Sequence, residues 1–416
     1  MITPETQLKW LPTRYEGLRR LNRFLPHAGQ QYSRLRNFDY GPLRNNHVSS
    51  LSPWIRHRSL LETEILREVL KKHSYATAEK FIQEVFWRTY WKGWLELRPD
   101  VWSTYCGSVR DLTECSMANR ESRKKITAAY SGDTGIGCFD SWVKELITHG
   151  YLHNHARMWF ASIWIFWLGI PWQLGADFFL QNLLDGDPAT NTLSWRWVAG
   201  LHTKGKVYLP RPDNIKKFTG GRFSPIKQPL NQTPSLYNEP PPPRQLDIIT
   251  CWNKNRQTGL LLTEDDMLPE FLGTPTNDFR CCAILNSSNH RSPIGISKQV
   301  AAFVNGGLQD SLTNFLRLTQ IPQDHVFQTE SVDRLALWLA KVDIEQIVVA
   351  YAPVGPAQEA LDLLDTKLLP LGIDMVRVLR REDSIAWPHA TKGFFKFKEK
   401  IPSFLKDINN CIKTAT

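Results

Sequence analysis

Several classes of protein are excluded by what this sequence lacks. Its seven cysteines are an odd number and none falls in a CxxC pair. Neither a disulfide framework nor a thiolate cage is indicated, and reduced thiols in a cytoplasmic setting are expected. No His, Cys, Asp or Glu set shows metal-ligand spacing, so no metal is expected. A GxGxxG or GxxxxGK[ST] phosphate loop is missing throughout. The opening MITPETQLKW has no apolar leader, so secretion is not expected. One run, residues 158–180, has the length of a membrane span, but Gly169-Ile170-Pro171 interrupts it and Trp is scattered along it. Two helices buried in a core are expected there, and no membrane.

What remains is a chain of 416 residues, 42% apolar and 11% aromatic, enough for two or three domains. Thirteen of its sixteen Trp precede residue 200. The net charge of +10 is uneven: residues 1–225 hold 31 Lys and Arg against 20 Asp and Glu, or +11, and the rest 20 against 21, or −1. A polyanion partner for the first half is implied, and charge alone fits RNA, DNA or an anionic surface equally.

Helical periodicity fills residues 1–220, at 15–24, 61–72 and 76–97, with a glycine-rich turn at 131–139 before a helix at 140–149. Residues 223–246 are rich in proline and read as an extended linker. Strand and helix signals then alternate: strands at 279–285, 325–328, 347–351 and 375–378, helices at 297–317, 331–341 and 356–369. That order predicts a parallel sheet with crossover helices. The expected fold is α + α/β: a helical domain at 1–222, a linker at 223–246 and a Rossmann-like parallel-sheet domain at 247–416.

Three stretches carry candidate chemistry. Tyr32-x-x-x-Arg36 and Ser49-Ser50-Leu51-Ser52-Pro53 place hydroxyls and free N–H groups at a helix start, suited to phosphate or to ordinary capping. Phe81-x-x-Glu84-x-x-Trp87-Arg88 puts a carboxylate, an indole and a guanidinium on one helical face. The third and longest stretch, residues 149–197, brackets its apolar helices with Arg157 on one side and Asp185 and Asp187 on the other. Charge is costly to bury unless paired, so either a structural ion pair or a polar planar ligand is implied.

Asn154-His155-Ala156-Arg157-Met158, then Asp185-Gly186-Asp187, Asn191, Trp195 and Trp197, resembles the flavin-binding half of the DNA photolyase and cryptochrome family. The likeness covers residues 10–222; over 247–416 it is confined to Trp387–Lys398, which is similar to the segment closing the family's antenna domain. That family usually places the antenna domain first, so the resemblance implies a permuted order.

The resemblance implies FAD as cofactor. It puts Tyr32, Arg36, Ser49, Leu51 and Ser52 at the pyrophosphate, with Val48 where a Thr is common and Phe81 where relatives often carry Trp. Arg157 and Asp185 would pair against the flavin ring, Asp187 would meet its polar edge, Asn191 would sit near N5, and Arg88 would support the flavin side. Glu84 would contact the damaged pyrimidines between the aromatic walls Trp87 and Trp197, with His155 on the DNA side. Asn154 and Met158 match the cyclobutane-dimer enzymes. Trp195 and Trp172 match the first two members of the family's electron chain. The third is expected near Asn119, which is not aromatic; Trp94, Trp102, Trp164 and Trp167 are the substitutes.

The function so implied is light-driven splitting of cyclobutane pyrimidine dimers in DNA by an electron from photoexcited reduced FAD. The alternative is a blue-light receptor signalling through a protein partner. An antenna chromophore of unspecified identity and a monomeric state complete the expectation.

Overall fold

The computed structural model describes residues 10–44, 47–231, 237, 239–246, 252–269 and 279–413. Expectations for the other residues, including parts of the linker, lie outside the described residues.

Helices fill the first half: α1 (Arg14–Phe24), α2 (Gln30–Leu35), α3 (Ser52–Arg56), α4 (Glu62–Lys72), α5 (Tyr75–Glu96), α6 (Asp100–Ala118), α7 (Arg120–Ser131), α8 (Gly137–His149), α9 (Asn154–Ser162), α10 (Trp172–Asn182), α11 (Pro188–Val198) and α12 (Pro212–Phe218). Their starts obey local chemistry. Thr13, Ser74 and Asn119 accept from the N–H groups of Glu16, Thr77 and Ser122 and so cap α1, α5 and α7. Aromatic and apolar residues surround α5, which is buried along most of its 22 residues and acts as the spine of this half. The long apolar run is indeed two helices. After α9 a π-helical turn spans Ile163–Trp167, and the chain breaks at Gly169-Ile170-Pro171 before α10. No helix among the described residues is long and apolar enough to cross a membrane.

The second half contains β1 (Thr258–Thr263), β2 (Phe279–Leu285), α13 (Lys298–Leu316), β3 (Val326–Thr329), α14 (Val332–Leu339), β4 (Gln346–Ala350), α15 (Pro356–Leu368) and β5 (Asp374–Val378). Its five strands are parallel in the order β3-β2-β1-β4-β5. The central strand β1 is missing from the sequence-based reading. Its TGLLLT run is short and buried at every position, so it offers no alternation to distinguish strand from buried helix. Side chains alternate between two cores. Leu260, Leu262, Cys282 and Ile284 join the large core shared with the helical half, while Leu261, Cys281, Ala283 and Val349 pack under α14 and α15.

The chain ends with α16 (Arg381–Ala386), α17 (Phe394–Lys398) and α18 (Ile401–Lys413). These helices fold back onto α5 of the first half. A Cβ on Gly93 would come within 2.9 Å of the Trp387 Cα, so only glycine allows this approach. The Tyr90 hydroxyl donates to the Lys392 carbonyl at 2.9 Å, and Phe86 meets Phe404 at 5.9 Å. Residues 381–413 therefore follow the sheet in sequence but pack on the helical half.

Candidate functional site

The loop between α10 and α11 carries the two acids singled out by the sequence. Arg157 Nη2 donates to Asp185 Oδ2 at 2.8 Å and its Nε to the Leu152 carbonyl at 2.9 Å. Burial works against the guanidinium's charge, and Asp185 more than offsets it. Tyr151 lies under Arg157 at 5.2 Å and hydrogen-bonds the Ser50 side chain. The backbone at Ser50 is left-handed, with φ 50°, in the segment that leads into α3. Ser50 is thus linked to the Arg157–Asp185 pair through Tyr151. Asp185 Oδ1 is buried and has no hydrogen-bond partner. An unsatisfied buried carboxylate oxygen is costly, and an N–H donor from a bound heterocycle would satisfy it.

Asp187 has a different set of partners. Its Oδ1 accepts from the Thr190 N–H at 2.7 Å and caps α11, and its Oδ2 accepts from Arg88 Nη2 at 2.9 Å, with Arg56 Nε at 3.7 Å. Burial alone would raise its pKa, but Arg88, Arg56 and Lys92 hold the carboxyl well below the usual range. Both oxygens thus have protein partners, which fix the carboxylate at the start of α11. Asn191 donates from Nδ2 to the Ala176 carbonyl at 2.8 Å, joining α11 to α10.

The face of α5 also divides. Glu84 pairs with Arg36 of the α2 terminus, while Arg88, one turn on, reaches Asp187. Tyr32 and Phe81 meet edge to face at 5.2 Å, both buried, and the Tyr32 phenol hydrogen-bonds Arg36. Phe81 is thus a core residue tying α2 to α5. Trp87 is not an open wall: its ring stacks on Phe394 of α17 at 3.7 Å and 12°. The apolar side of α17 needs a core, and the exposed edge of α5 supplies one.

At the start of α9, Asn154 is exposed and Met158 half-buried. His155 is engaged structurally. It stacks on Trp159 at 4.1 Å, and its ring nitrogens bond the Asn37 carbonyl at 2.8 Å and the Tyr208 hydroxyl at 3.1 Å. Trp197, half-buried, lies 5.8 Å from Tyr208.

Trp195 and Trp172 each sit among further aromatic rings. Trp195 meets Phe179 at 5.1 Å and Trp164 at 6.3 Å, and it would crowd any side chain at Gly175, one turn along α10 from Trp172. Trp172 stacks on Tyr105 at 5.6 Å, which meets Trp102 at 5.3 Å. The expected third position, Asn119, is the N-cap of α7. Tyr105 on α6 adjoins Trp172, a tyrosine that the tryptophan candidates Trp94, Trp102, Trp164 and Trp167 did not include.

Sequence reasoning also missed the second half's grip on this loop. Arg291 Nη2 donates to the Leu183 carbonyl at 2.6 Å and its Nη1 to that of Gly186 at 3.2 Å, and Arg56 Nε donates to Gly186 at 3.0 Å. Arg56 pairs in turn with Asp265, Arg58 with Asp383 at 2.5 Å, and Arg380 with Asp266 at 2.5 Å. The signal was present as Arg56-His57-Arg58 in one half and Glu264-Asp265-Asp266 in the other. Among the described residues, no group of three or more His, Cys, Asp or Glu could hold a metal ion.

Residues 81–233 match the family model described as the FAD binding domain of DNA photolyase. Over this segment the chain is similar to proteins of the photolyase/cryptochrome family. A deoxyribodipyrimidine photo-lyase of Streptomyces griseus is 33% identical over 162 residues, 39% of this chain and 34% of that protein. A chloroplastic/mitochondrial cryptochrome DASH of Oryza sativa subsp. japonica is 29% identical over 175 residues, 41% of this chain and 29% of its own length. A bacterial class III photolyase structure from Agrobacterium tumefaciens is 26% identical with a TM-score of 0.43, covering 51% of this chain and 43% of that one. The chain spans 33–39% of the length of three such photo-lyases. The photolyase-type domain thus coincides with α5 to α12 and holds the Arg157–Asp185 pair. The unpartnered Asp185 Oδ1, the cation beside it and the hydroxyl-rich Ser49–Ser52 segment form a donor set that fits FAD.

Proposed function

We propose that this chain is a light-driven lyase that binds FAD in its helical half and splits cyclobutane pyrimidine dimers in DNA. The observation that carries the reading is the pair between half-buried Arg157 and buried Asp185, with one acid oxygen unmet, inside a segment matching the FAD binding domain of DNA photolyase. When bound, reduced FAD supplies an electron on absorbing light. Arg157 and Asp185 orient the ring, and Tyr32, Arg36, Ser49, Leu51 and Ser52 hold the pyrophosphate side. Arg88 and Asp187 fix α5 against α11, so the Glu84 and Asn191 faces keep their spacing. Glu84, with Asn154 and Met158 nearby on the resemblance, accepts a hydrogen bond from an N–H of the extruded pyrimidines, its own charge balanced by Arg36. Trp195 and Trp172 carry electrons toward the flavin site from Tyr105. The basic first half grips the phosphates, in the cytoplasm and as a monomer. A cavity of about 670 Å³ between the halves, lined by Tyr105, Asp177, Arg291 and Glu359, is the candidate seat of an antenna chromophore. The sheet-bearing part following the flavin domain supports the permuted arrangement, with domains at 1–222 and 247–416.

A second reading, a blue-light receptor acting through a protein partner, is favoured by one observation: Phe394 covers Trp87. One assay separates them. Chemically reduced protein is illuminated with dimer-containing DNA and restored monomers are measured. Light-dependent recovery supports the lyase, and none with reduced flavin bound supports the receptor.

A further inference from the structure

Phe394 and Trp87 lie face to face, ring centroids 3.7 Å apart, although the residues come from distant parts of the chain. Three observations distinguish this stack from the rest of the core. Trp87 remains partly buried, so the covered face borders the surface. The covering ring sits on the five-residue helix α17, preceded by Gly393, where an added Cβ would meet nothing within 4 Å. Beyond it the chain is rich in lysine: Lys392, Lys396 and Lys400 are exposed, and Phe395 is 71% exposed. Lys206 stands 5.8 Å over Phe395, linking α17 to the loop that follows Trp197. Phe397 and Phe404, buried against Phe86, anchor the segment deeper in the core, so the Phe394 ring is its outermost buried aromatic group.

We propose that Phe394 is a gate residue that determines what enters the slot beside Trp87. The inference rests on the reading of Trp87 as a substrate wall. In the resting protein the phenyl ring occupies the place of a stacked base, and an extruded pyrimidine pair replaces it while the α17 lysines meet neighbouring phosphates. The dimer's rings are saturated rather than aromatic, and they pack on Trp87 as an apolar face that offsets the lost phenyl stack. Displacing Phe394 costs the same for any base, but an undamaged base must break its own stacking as well, whereas a dimer has already lost much of its stacking. The gate therefore admits the dimer and leaves undamaged DNA held by its phosphates.

The test uses full-length, FAD-loaded wild type, Phe394→Leu, Phe394→Ala and, as a control, Phe395→Leu. Affinity is measured for an oligonucleotide with one cyclobutane dimer and for its undamaged counterpart, and amide exchange is followed across residues 391–398. Opening the slot should tighten binding to the dimer-containing oligonucleotide about two- to tenfold, the span of one aromatic stack, and leave its undamaged counterpart unchanged, which widens the preference for the dimer. Phe395→Leu should keep the wild-type preference. In wild type, saturating dimer DNA should speed exchange at 391–398. If Phe394→Ala does not fold, Phe394→Leu and the exchange data decide. Wild-type preference in both Phe394 variants, with 391–398 protected under dimer DNA, would make Phe394 plain core and overturn the gate while leaving the lyase intact. Should wild type show no dimer preference at all, the lyase reading and the gate fall together.

Discussion

Arg56 and Asp265 form a buried ion pair joining the end of α3 to the end of β1. The same guanidinium donates to the Gly186 carbonyl at 3.0 Å, between the two acids of the flavin-domain loop. The sheet-bearing half thus braces the site of the helical half. Asp265→Ala leaves Arg56 without this partner in a buried setting, so it should cost roughly 3–5 kcal/mol of stability and loosen FAD retention. Urea unfolding and flavin absorbance check both. Unchanged values would mean the brace is dispensable.

Lys92 is buried beneath Arg88, and its Nζ has no hydrogen-bond partner. Burial, then Arg58 and Arg88, push its pKa down from 10.5 to about 8. Between those values the unfolded chain binds more protons than the folded one, so stability contributed at this site rises with pH from about 8 to 10.5. Below that window the charge costs on the order of 3 kcal/mol. Lys92→Met should therefore be more stable than wild type at pH 7 and show a flatter alkaline profile. Denaturation at pH 7 and pH 10 tests this, and a less stable variant at pH 7 would contradict it.

Glu84→Ala should lower the quantum yield of dimer splitting severalfold while FAD stays bound. Its partner Arg36 and Glu84 itself are each about a third exposed, so losing the pair costs little stability. A lost hydrogen bond to the extruded pyrimidines costs about 1–3 kcal/mol. Wild-type yield in the variant would remove Glu84 from the chemistry.

Trp172→Phe should slow light-driven flavin reduction severalfold with FAD content unchanged, and Tyr105→Leu should do the same. Tyr105 stacks on Trp172 at 5.6 Å, which places it next in line. Transient absorption reads the effect. Wild-type rates in both variants would route electrons elsewhere, with Trp164 as the adjoining ring.

The helical half was readable because its chemistry is local. Asn154, Arg157, Asp185 and Asn191 keep fixed spacings from the start of α9 to the first turn of α11, and four of the five strands stand out between helix signals. Strand β1 did not, being uniformly buried. Contacts between distant segments were not legible either. Arg56 and Asp265 are separated by 209 positions, and nothing in a single sequence couples them. Phe394 read as part of the sheet-bearing half, yet its aromatic neighbours on α5 provided a closer apolar surface. Glu84 and Arg88 had the spacing of a helical ion pair, but each found a buried or better-oriented partner from another element.

The central claim is that the Arg157–Asp185 pair marks a flavin slot, and flavin stoichiometry tests it most directly. FAD released from wild type and from Asp185→Ala is quantified by absorbance, with circular dichroism confirming that both are folded. The account predicts about one FAD per wild-type chain and loss of most of it in the variant, since Asp185 supplies both the partner that orients Arg157 and the buried oxygen without a hydrogen bond. Full FAD retention in folded Asp185→Ala, or a wild type that binds none, would contradict it.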